Sequence, residues 1–365
     1  MVVKYCVGIL LSIMWVHSAN SAETKRPTVD PDGTVHIDAF TLPESSFLSE
    51  ETRRVLKLQR EVGIKEWEAM DCPEFEAAKM ADMPVIRQCR ADFFYTTSMY
   101  KNMVKRYAVK MSPKTIGGVY TEIFTPSEGI REGNRGKVLI NVHGGGFQYG
   151  SRSTSHLESI PIAAVGQIKV ISIDYRMAPE YQFPAASEDV EKVYRELLKE
   201  YSAENIGLYG CSAGGMLTAQ SVAWFLDKEL PLPGAVGMFC WGAGTERDLK
   251  TDGGKFSGAL GGIDWEDFLP NPYLKNAKGD DPLTYPGDFS GVLTEFPPSL
   301  LITATRDMAL SSVIQTHINL KKLGVEADLF VWEGLGHAFH FNSEIPESRE
   351  AYDVIVEFFD SHLGK

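Results

Sequence analysis

The spacing of apolar residues changes near residue 105. From about Ser45 to Val104 apolar residues recur at helical intervals, with Phe47, Leu48, Val55, Leu56 and Val62 in one segment and Met99 and Met103 in a later one. Beyond that point they gather into short β-rich runs: "KRYAVKMS", "GVYTEIFTP", "KVLINVHG", "IKVISIDYR", "NIGLYG", "AVGMFCWGA", "PSLLITAT" and "EADLFVWE". From Lys137 onward helix-length segments separate most of these runs, and the runs are too continuously apolar for a sheet wetted on one face. The alternation predicts an α/β fold: a mostly parallel eight-stranded sheet with helices on both faces. The first two runs are joined only by "PKTIG", too short for a crossover, so they predict an antiparallel hairpin at one sheet edge. Between about Glu246 and Phe296 the pattern breaks into a segment rich in Gly, Pro, Asp and aromatics, longer than an ordinary connection. It predicts part insertion, part loop over a site.

The amino terminus reads differently again. Lys4, an apolar stretch from Tyr5 to Val16 and small residues around Ala19 to Ala22 form the pattern of a secretory signal peptide. The apolar core is too short for a comfortable membrane span, although an uncleaved anchor is the alternative. The expected organisation is a signal peptide over 1–22, a helical segment over 23–104, and an α/β domain over 105–365 with an insertion near 246–296. The expected location is secreted or periplasmic.

Composition narrows the partners. A chain of 365 residues, 44% hydrophobic and 23% charged, can bury a full core. Its formal net charge of -13, without a basic run, speaks against nucleic acid or an anionic membrane as partner. Of five cysteines, Cys6 falls in the signal. Cys72 and Cys89 share one segment and read equally as a disulfide of an exported protein or as two buried thiols, because sequence separation does not set Cα distance. No Cys/His spacing resembles a zinc site, and no metal is expected.

The candidate chemistry begins at "IGLYGCSAGGMLTAQ". Gly210-Cys211-Ser212-Ala213-Gly214 is the one G-x-S-x-G of the chain. A tight turn alone explains many such matches, so context decides. Here a strand precedes it, and Met216, Ala219, Ala223 and Leu226 follow at the spacing of one helix face. That is a nucleophile elbow, with the helix N-terminus and its free N–H groups aimed at the serine. A second signal is "INVHGGGFQYG", where glycines follow a strand. A phosphate cradle is the rival reading, but the chain has neither G-x-x-x-x-G-K-[ST] nor G-x-G-x-x-G opening a helix. Bare backbone near an acyl-transfer serine suits an oxyanion hole, with Gly144, Gly145, Gly146 and Ala213 as candidate donors.

Five segments in order, HGGGF (143–147), DYRMAPEYQFPAA (174–186), GCSAGG (210–215), FPPSLLITATRD (296–307) and GLGHAF (334–339), resemble the hormone-sensitive-lipase-like family of α/β-hydrolases in its bacterial-type carboxylesterase form. The resemblance runs from about residue 105 to the end. It implies a carboxylesterase whose helical cap comes from the N-terminal segment and a late insertion. Two departures stand out: the position before the nucleophile, usually acidic in the family, is Cys211, and the usual Asp-Pro-Leu reads Asp307-Met308-Ala309-Leu310.

Acid and base must follow Ser212 in this fold. Asp281, in "DDPLTYP", matches the family text literally, but Asp307 ends a buried strand, and a strand end holds a carboxylate rigidly where a Pro/Gly-rich loop does not. Asp307 is the expected acid, Asp281 a turn residue. His317, His337, His340 and His362 follow it. His337 sits in a glycine-containing loop after a strand, and the family's Gly-x-x-His-x-Phe fits Gly334, His337 and Phe339, leaving His340 as the rival. Arg176 and Glu180 in "YRMAPE" read as parts of a structural pair that pins their loop, while Phe147, Tyr149, Trp241 and Trp265 are candidates to line a substrate pocket.

The expectation is a serine carboxylesterase for short- to medium-chain esters: a small-molecule substrate, no cofactor, no membrane span in the mature form, and a homodimer left open. An amidase, peptidase or lactonase on the same triad is the alternative, and a non-catalytic receptor the remotest one.

Overall fold

A computed structural model describes residues 26–365 apart from 38, 69, 74–81, 246–248, 262–263 and 266–270. The expected signal peptide lies outside the described residues. The chain divides into two compact units, Met1–Glu44 and Ser45–Lys365. In the first, strands β1 (Thr28–Val29) and β2 (Val35–His36) pair antiparallel, and Gly33 takes the positive φ that their turn needs.

The second unit opens with three helices, α1 (Glu50–Glu68), α2 (Met83–Thr96) and α3 (Ser98–Arg106), followed by β3 (Val109–Ile116) and β4 (Val119–Pro126). Strand and helix then alternate through β5 (Val138–Val142), α4 (Thr154–Gly166), β6 (Lys169–Ile173), α5 (Ala185–Leu197), β7 (Ile206–Cys211), α6 (Ala213–Asp227) and β8 (Ala235–Phe239). After α7 (Asp252–Gly261) and α8 (Ser290–Leu293) in the insertion come β9 (Ser299–Arg306), α9 (Leu310–Lys322), β10 (Ala327–Gly336) and α10 (Pro346–His362).

The eight strands from β3 onward form one sheet in the order β10-β9-β8-β7-β5-β6-β4-β3. All neighbours from β6 to β10 are parallel; β4 runs antiparallel to β6, and β3 to β4. The edge hairpin is tighter than "PKTIG" suggests. Its ladder continues to Ile116↔Val119, and the turn is Gly117-Gly118, both at positive φ. Pro113 is tolerated inside β3 because the strand is at the edge and needs no second ladder.

Alternate side chains of each strand feed opposite cores. Ile140, Ile171, Leu208, Met238 and Leu301 pack with α5, α6 and α9, while Leu139, Val170, Tyr209, Phe239 and Ile302 pack with α4 and α10. Helix α6 is buried over most of its circumference, from Ala213 to Phe225, rather than on the one face expected from its spacing. A helix so placed is a central element, and it fixes whatever precedes it.

Helices α1 to α3 pack at the flank. The Ser49 N–H and the Thr52 hydroxyl donate to Glu347 of α10, and Gln59 exchanges hydrogen bonds with Asn342. Leu48 is buried in that flank, but Phe47 is 83% exposed. Helix α3 runs to Arg106, past the expected boundary at 104. Cys72 and Cys89 are disulfide-bonded with Cα atoms 5.8 Å apart, tying the segment before α2 to α2 itself; Cys211 and Cys240 are free and buried.

Candidate active site

The site follows from the strand order. The chain goes from β5 through α4 to β6 on one side, then returns past β5 to place β7 on its other side. Loops leaving the C-terminal ends of β5 and β7 therefore part in opposite directions and open a crevice, the position where open α/β sheets bind ligands. His143-Gly144-Gly145-Gly146 leaves β5 and Ser212 leaves β7, so the crevice brings these two motifs together.

Ser212 sits at φ 59 and ψ -122, a conformation that costs a non-glycine residue strain and lifts its side chain at the mouth of α6. The turn closes because its neighbours lack bulk. A Cβ on Gly210 would lie 2.0 Å from the Val142 carbonyl oxygen, and one on Gly214 would lie 1.9 Å from the same atom. The Ser212 N–H donates to the Phe239 carbonyl at 2.7 Å, which ties the elbow to β8.

His337 arrives on the loop after β10. Its Nε2 is 2.9 Å from the Ser212 Oγ, and its Nδ1 is 2.7 Å from the Asp307 Oδ1. Asp307 follows β9 and is fully buried. Its Oδ1 also accepts the Ala309 N–H at 2.9 Å, and its Oδ2 the Thr303 hydroxyl at 2.8 Å. Burial pushes this carboxyl up, but the His337 imidazole and the two other donors outweigh it and hold the group below the ordinary carboxylate range. Next in the chain, the Ala338 N–H donates to the Cys240 Sγ at 3.3 Å, anchoring the loop that presents the imidazole.

The rival residues lie elsewhere. Asp281 closes its own turn, accepting the Leu283 N–H at 2.9 Å. His340 is buried among Phe239, Phe339 and Phe341 with no partner for either ring nitrogen among the described residues, and burial pushes it down to about 3. His362 faces Glu326 on the surface, and His317 sits mid-helix in α9.

The glycine loop needs one correction to its expected donor set. The Gly144 N–H is spent: it donates to the Glu158 Oε1 at 2.8 Å, inside the protein. The N–H groups of Gly145, Gly146 and Ala213 have no partner among the described residues. A side chain at Gly145 is excluded twice, by its φ of 111 and by the Tyr149 carbonyl, 2.1 Å from where a Cβ would sit. The Tyr175 hydroxyl donates to the His143 carbonyl at 2.6 Å, and Asn271 from the insertion donates to the Gly146 carbonyl at 3.1 Å.

Above these groups is a cavity of about 600 Å³, walled by Trp241, Leu249, Trp265, Leu274, Met308 and Phe341 around Ser212 and His337. Phe147 and Tyr149 reach it in different ways: Phe147 is 1% exposed and stacks on Tyr273 at 4.4 Å, whereas Tyr149 is half-exposed at the mouth. The insertion supplies part of the wall. Among the described lining residues none comes from α1 to α3.

Helix α2 reaches the rim through one side chain. Arg87 grips Glu180 through two contacts of 2.7 and 2.8 Å and donates to the Gln148 and Ala178 carbonyls. Arg176, expected to pair within its own loop, binds Asp189 at 2.8 Å and Glu188 at 2.6 Å of α5. Sequence reasoning missed Arg87 because its partners lie 61 to 93 residues away.

Comparisons with known proteins agree with this fold. A family model described as alpha/beta hydrolase fold matches residues 139–341. Among solved structures the chain is similar to esterase E25, with 31% identity, a TM-score of 0.74, and 90% of this chain and 98% of that one covered. It is also similar to an esterase from the bacterial hormone-sensitive lipase family, at 25% identity and TM-score 0.69 over 87% of this chain and 99% of that one. An esterase/lipase from an uncultured bacterium matches at 25% identity and TM-score 0.66, over 86% and 99%.

Proposed function

Because the chain belongs to the α/β-hydrolase family, among its hormone-sensitive-lipase-like esterases, we propose that it is a serine carboxylesterase cleaving short- to medium-chain acyl esters through an acyl-enzyme. The observation that carries the proposal is the relay itself: Ser212 Oγ to His337 Nε2 at 2.9 Å, and His337 Nδ1 to Asp307 Oδ1 at 2.7 Å, beside three unspent N–H groups.

In this mechanism His337 takes the Ser212 proton as the Oγ attacks the ester carbonyl carbon. Asp307 holds the tautomer and stabilises the imidazolium. The carbonyl oxygen becomes an oxyanion held by the N–H groups of Gly145, Gly146 and Ala213, each worth about 10²- to 10³-fold in kcat. The intermediate collapses by breaking the bond to the alcohol oxygen, which leaves with the proton from His337. Water then gives a proton to His337 as it attacks the acyl carbon, and the second tetrahedral intermediate breaks its bond to the Ser212 Oγ, which takes that proton back from His337 as the carboxylic acid leaves.

Chain length follows from the cavity. Each buried methylene contributes about 0.8 kcal/mol, so rates rise with chain length only while the wall has room. With about 600 Å³ bounded by Trp241, Leu249, Trp265 and Leu274, acyl chains of up to about eight carbons fit best, and long-chain triglycerides are poor substrates. Export through a signal peptide at 1–22 belongs to the same proposal.

A fluorophosphonate probe should label Ser212 and leave Ser212→Ala unlabelled, with that variant folded but slower on p-nitrophenyl butyrate by at least about 10⁴-fold. Label on another residue, or near-normal turnover by Ser212→Ala, sinks the mechanism. A p-nitrophenyl series whose best substrate is the longest chain sinks the length preference alone.

A further inference from the structure

Helix α4 carries a carboxylate that the mechanism above does not use. Glu158 is 1% exposed, yet its carboxylate gathers three N–H donors, from β5, the loop after it and β7. Oε1 accepts the Gly144 N–H at 2.8 Å; Oε2 accepts the Cys211 N–H at 3.1 Å and the Asn141 Nδ2 at 2.8 Å. Asn141 is itself held from the other side by the Ser172 hydroxyl at 2.7 Å. Gly144 opens the loop that carries Gly145 and Gly146, and Cys211 is bonded directly to Ser212.

Physical necessity explains the bridge. Between Asn141 and Tyr209 the parallel strands β5 and β7 are still in register; past that point they part to open the crevice. Beyond the ladder the Gly144 and Cys211 N–H groups would be buried without acceptors, which is costly for a backbone donor. One carboxylate satisfies both. In the family that this chain resembles, the residue before the nucleophile is usually acidic; here Cys211 stands there, and the acid beside the elbow comes from α4.

Resting on the esterase reading, we infer that Glu158 is a positioning residue: its ionised carboxylate fixes the distance between the oxyanion loop, through Gly144, and the nucleophile, through Cys211. Both of its oxygens must accept for the bridge to span the crevice. A protonated carboxyl keeps one full acceptor and turns a hydroxyl toward the other N–H, so the loop and the elbow lose their common strut.

Titration therefore reports on the role. Burial pushes the Glu158 carboxyl up to about 8 against the pull of the Gly144, Asn141 and Cys211 donors. Burial drives the Cys211 thiol and the Tyr209 and Tyr175 phenols well above their ordinary values and the His143 imidazole below its own, and His156 on the same helix faces Glu122 of β4. As pH rises through about 8, Glu158 loses its proton, the second acceptor is restored, and kcat rises.

The test compares wild type with Glu158→Gln on p-nitrophenyl butyrate, recording kcat and KM between about pH 6 and pH 10 with melting curves alongside. Glutamine keeps the volume but offers one acceptor and turns an NH₂ toward the other N–H. The expected result is a kcat at least about tenfold lower with KM within about twofold, and loss of the alkaline limb that wild type shows. A variant with wild-type kcat and an intact limb overturns the inference. So does a wild-type profile with no rise near pH 8, a measurement that needs no variant to fold. Labelling of Ser212 and ester turnover by wild type stand or fall separately, and their failure would overturn the esterase reading itself.

Discussion

Replacing Asp307 by Asn probes the relay at its buried end. The amide fits the same space: its oxygen can stay where Oδ1 accepts the His337 Nδ1–H and the Ala309 N–H, and its NH₂ can meet the Thr303 hydroxyl, which rotates to accept. Shape survives, and charge does not. With charge centres about 4 Å apart and an effective dielectric of about 20, the carboxylate stabilises a transient imidazolium by about 4 kcal/mol. That corresponds to a roughly thousandfold loss in kcat. KM should change little, because Asp307 does not line the cavity. Asp281→Asn is the paired control, since among the described residues its carboxylate bonds within its own turn, and it should lose less than about twofold. Steady-state kinetics of both variants on p-nitrophenyl butyrate, at a pH where wild type is fully active, decide the matter. If Asp307→Asn kept more than about a tenth of the wild-type kcat, or Asp281→Asn lost as much as Asp307→Asn, the charge argument would be wrong.

Two further outcomes are expected. Gly214→Ala puts a Cβ 1.9 Å from the Val142 carbonyl oxygen, so β5 or α6 must shift; stability should drop by about 1 to 3 kcal/mol in denaturant titration, with turnover falling too, while Gly291→Ala, which meets nothing within 4 Å, should be near neutral. His340→Leu removes a buried imidazole held down at about 3 from its ordinary 6.5. Between those values the unfolded chain binds the proton and the folded chain does not, so wild-type stability falls as pH drops through the window, by up to about 1.4 kcal/mol per unit. The leucine variant should lose less stability over the same window and keep its esterase activity. An equal acid slope in both proteins contradicts the burial argument, and loss of turnover would make His340 the base.

What could be read from the sequence was what local backbone physics dictates. Apolar runs of strand length separated by helix-length segments specify an α/β sheet whatever the neighbours are, and small residues around Ser212 mark a turn that no bulkier residue could make. That Asp307 stands at the end of a buried strand and Asp281 in a turn was legible for the same reason, since the end of a buried strand is a property of the residues that form it. The edge hairpin was legible as a hairpin but not in its turn, because the ladder decides where β3 ends. Only tertiary structure could decide the rest, all of which depends on strand order. The sheet order places β5 between β6 and β7, and that alone brings the Gly144 and Cys211 N–H groups, 67 residues apart in the chain by their numbers, within 3.1 Å of one carboxylate. In the sequence Glu158 is one charged residue in a helix, with no signal of a buried acceptor. Likewise Arg87 and Glu180 carry no mark of each other, and the stripe at Leu48, Val55 and Leu56 announces an apolar face without saying what it meets. It meets the flank beside α10, since side-chain periodicity sets which face is buried and chain topology sets the partner.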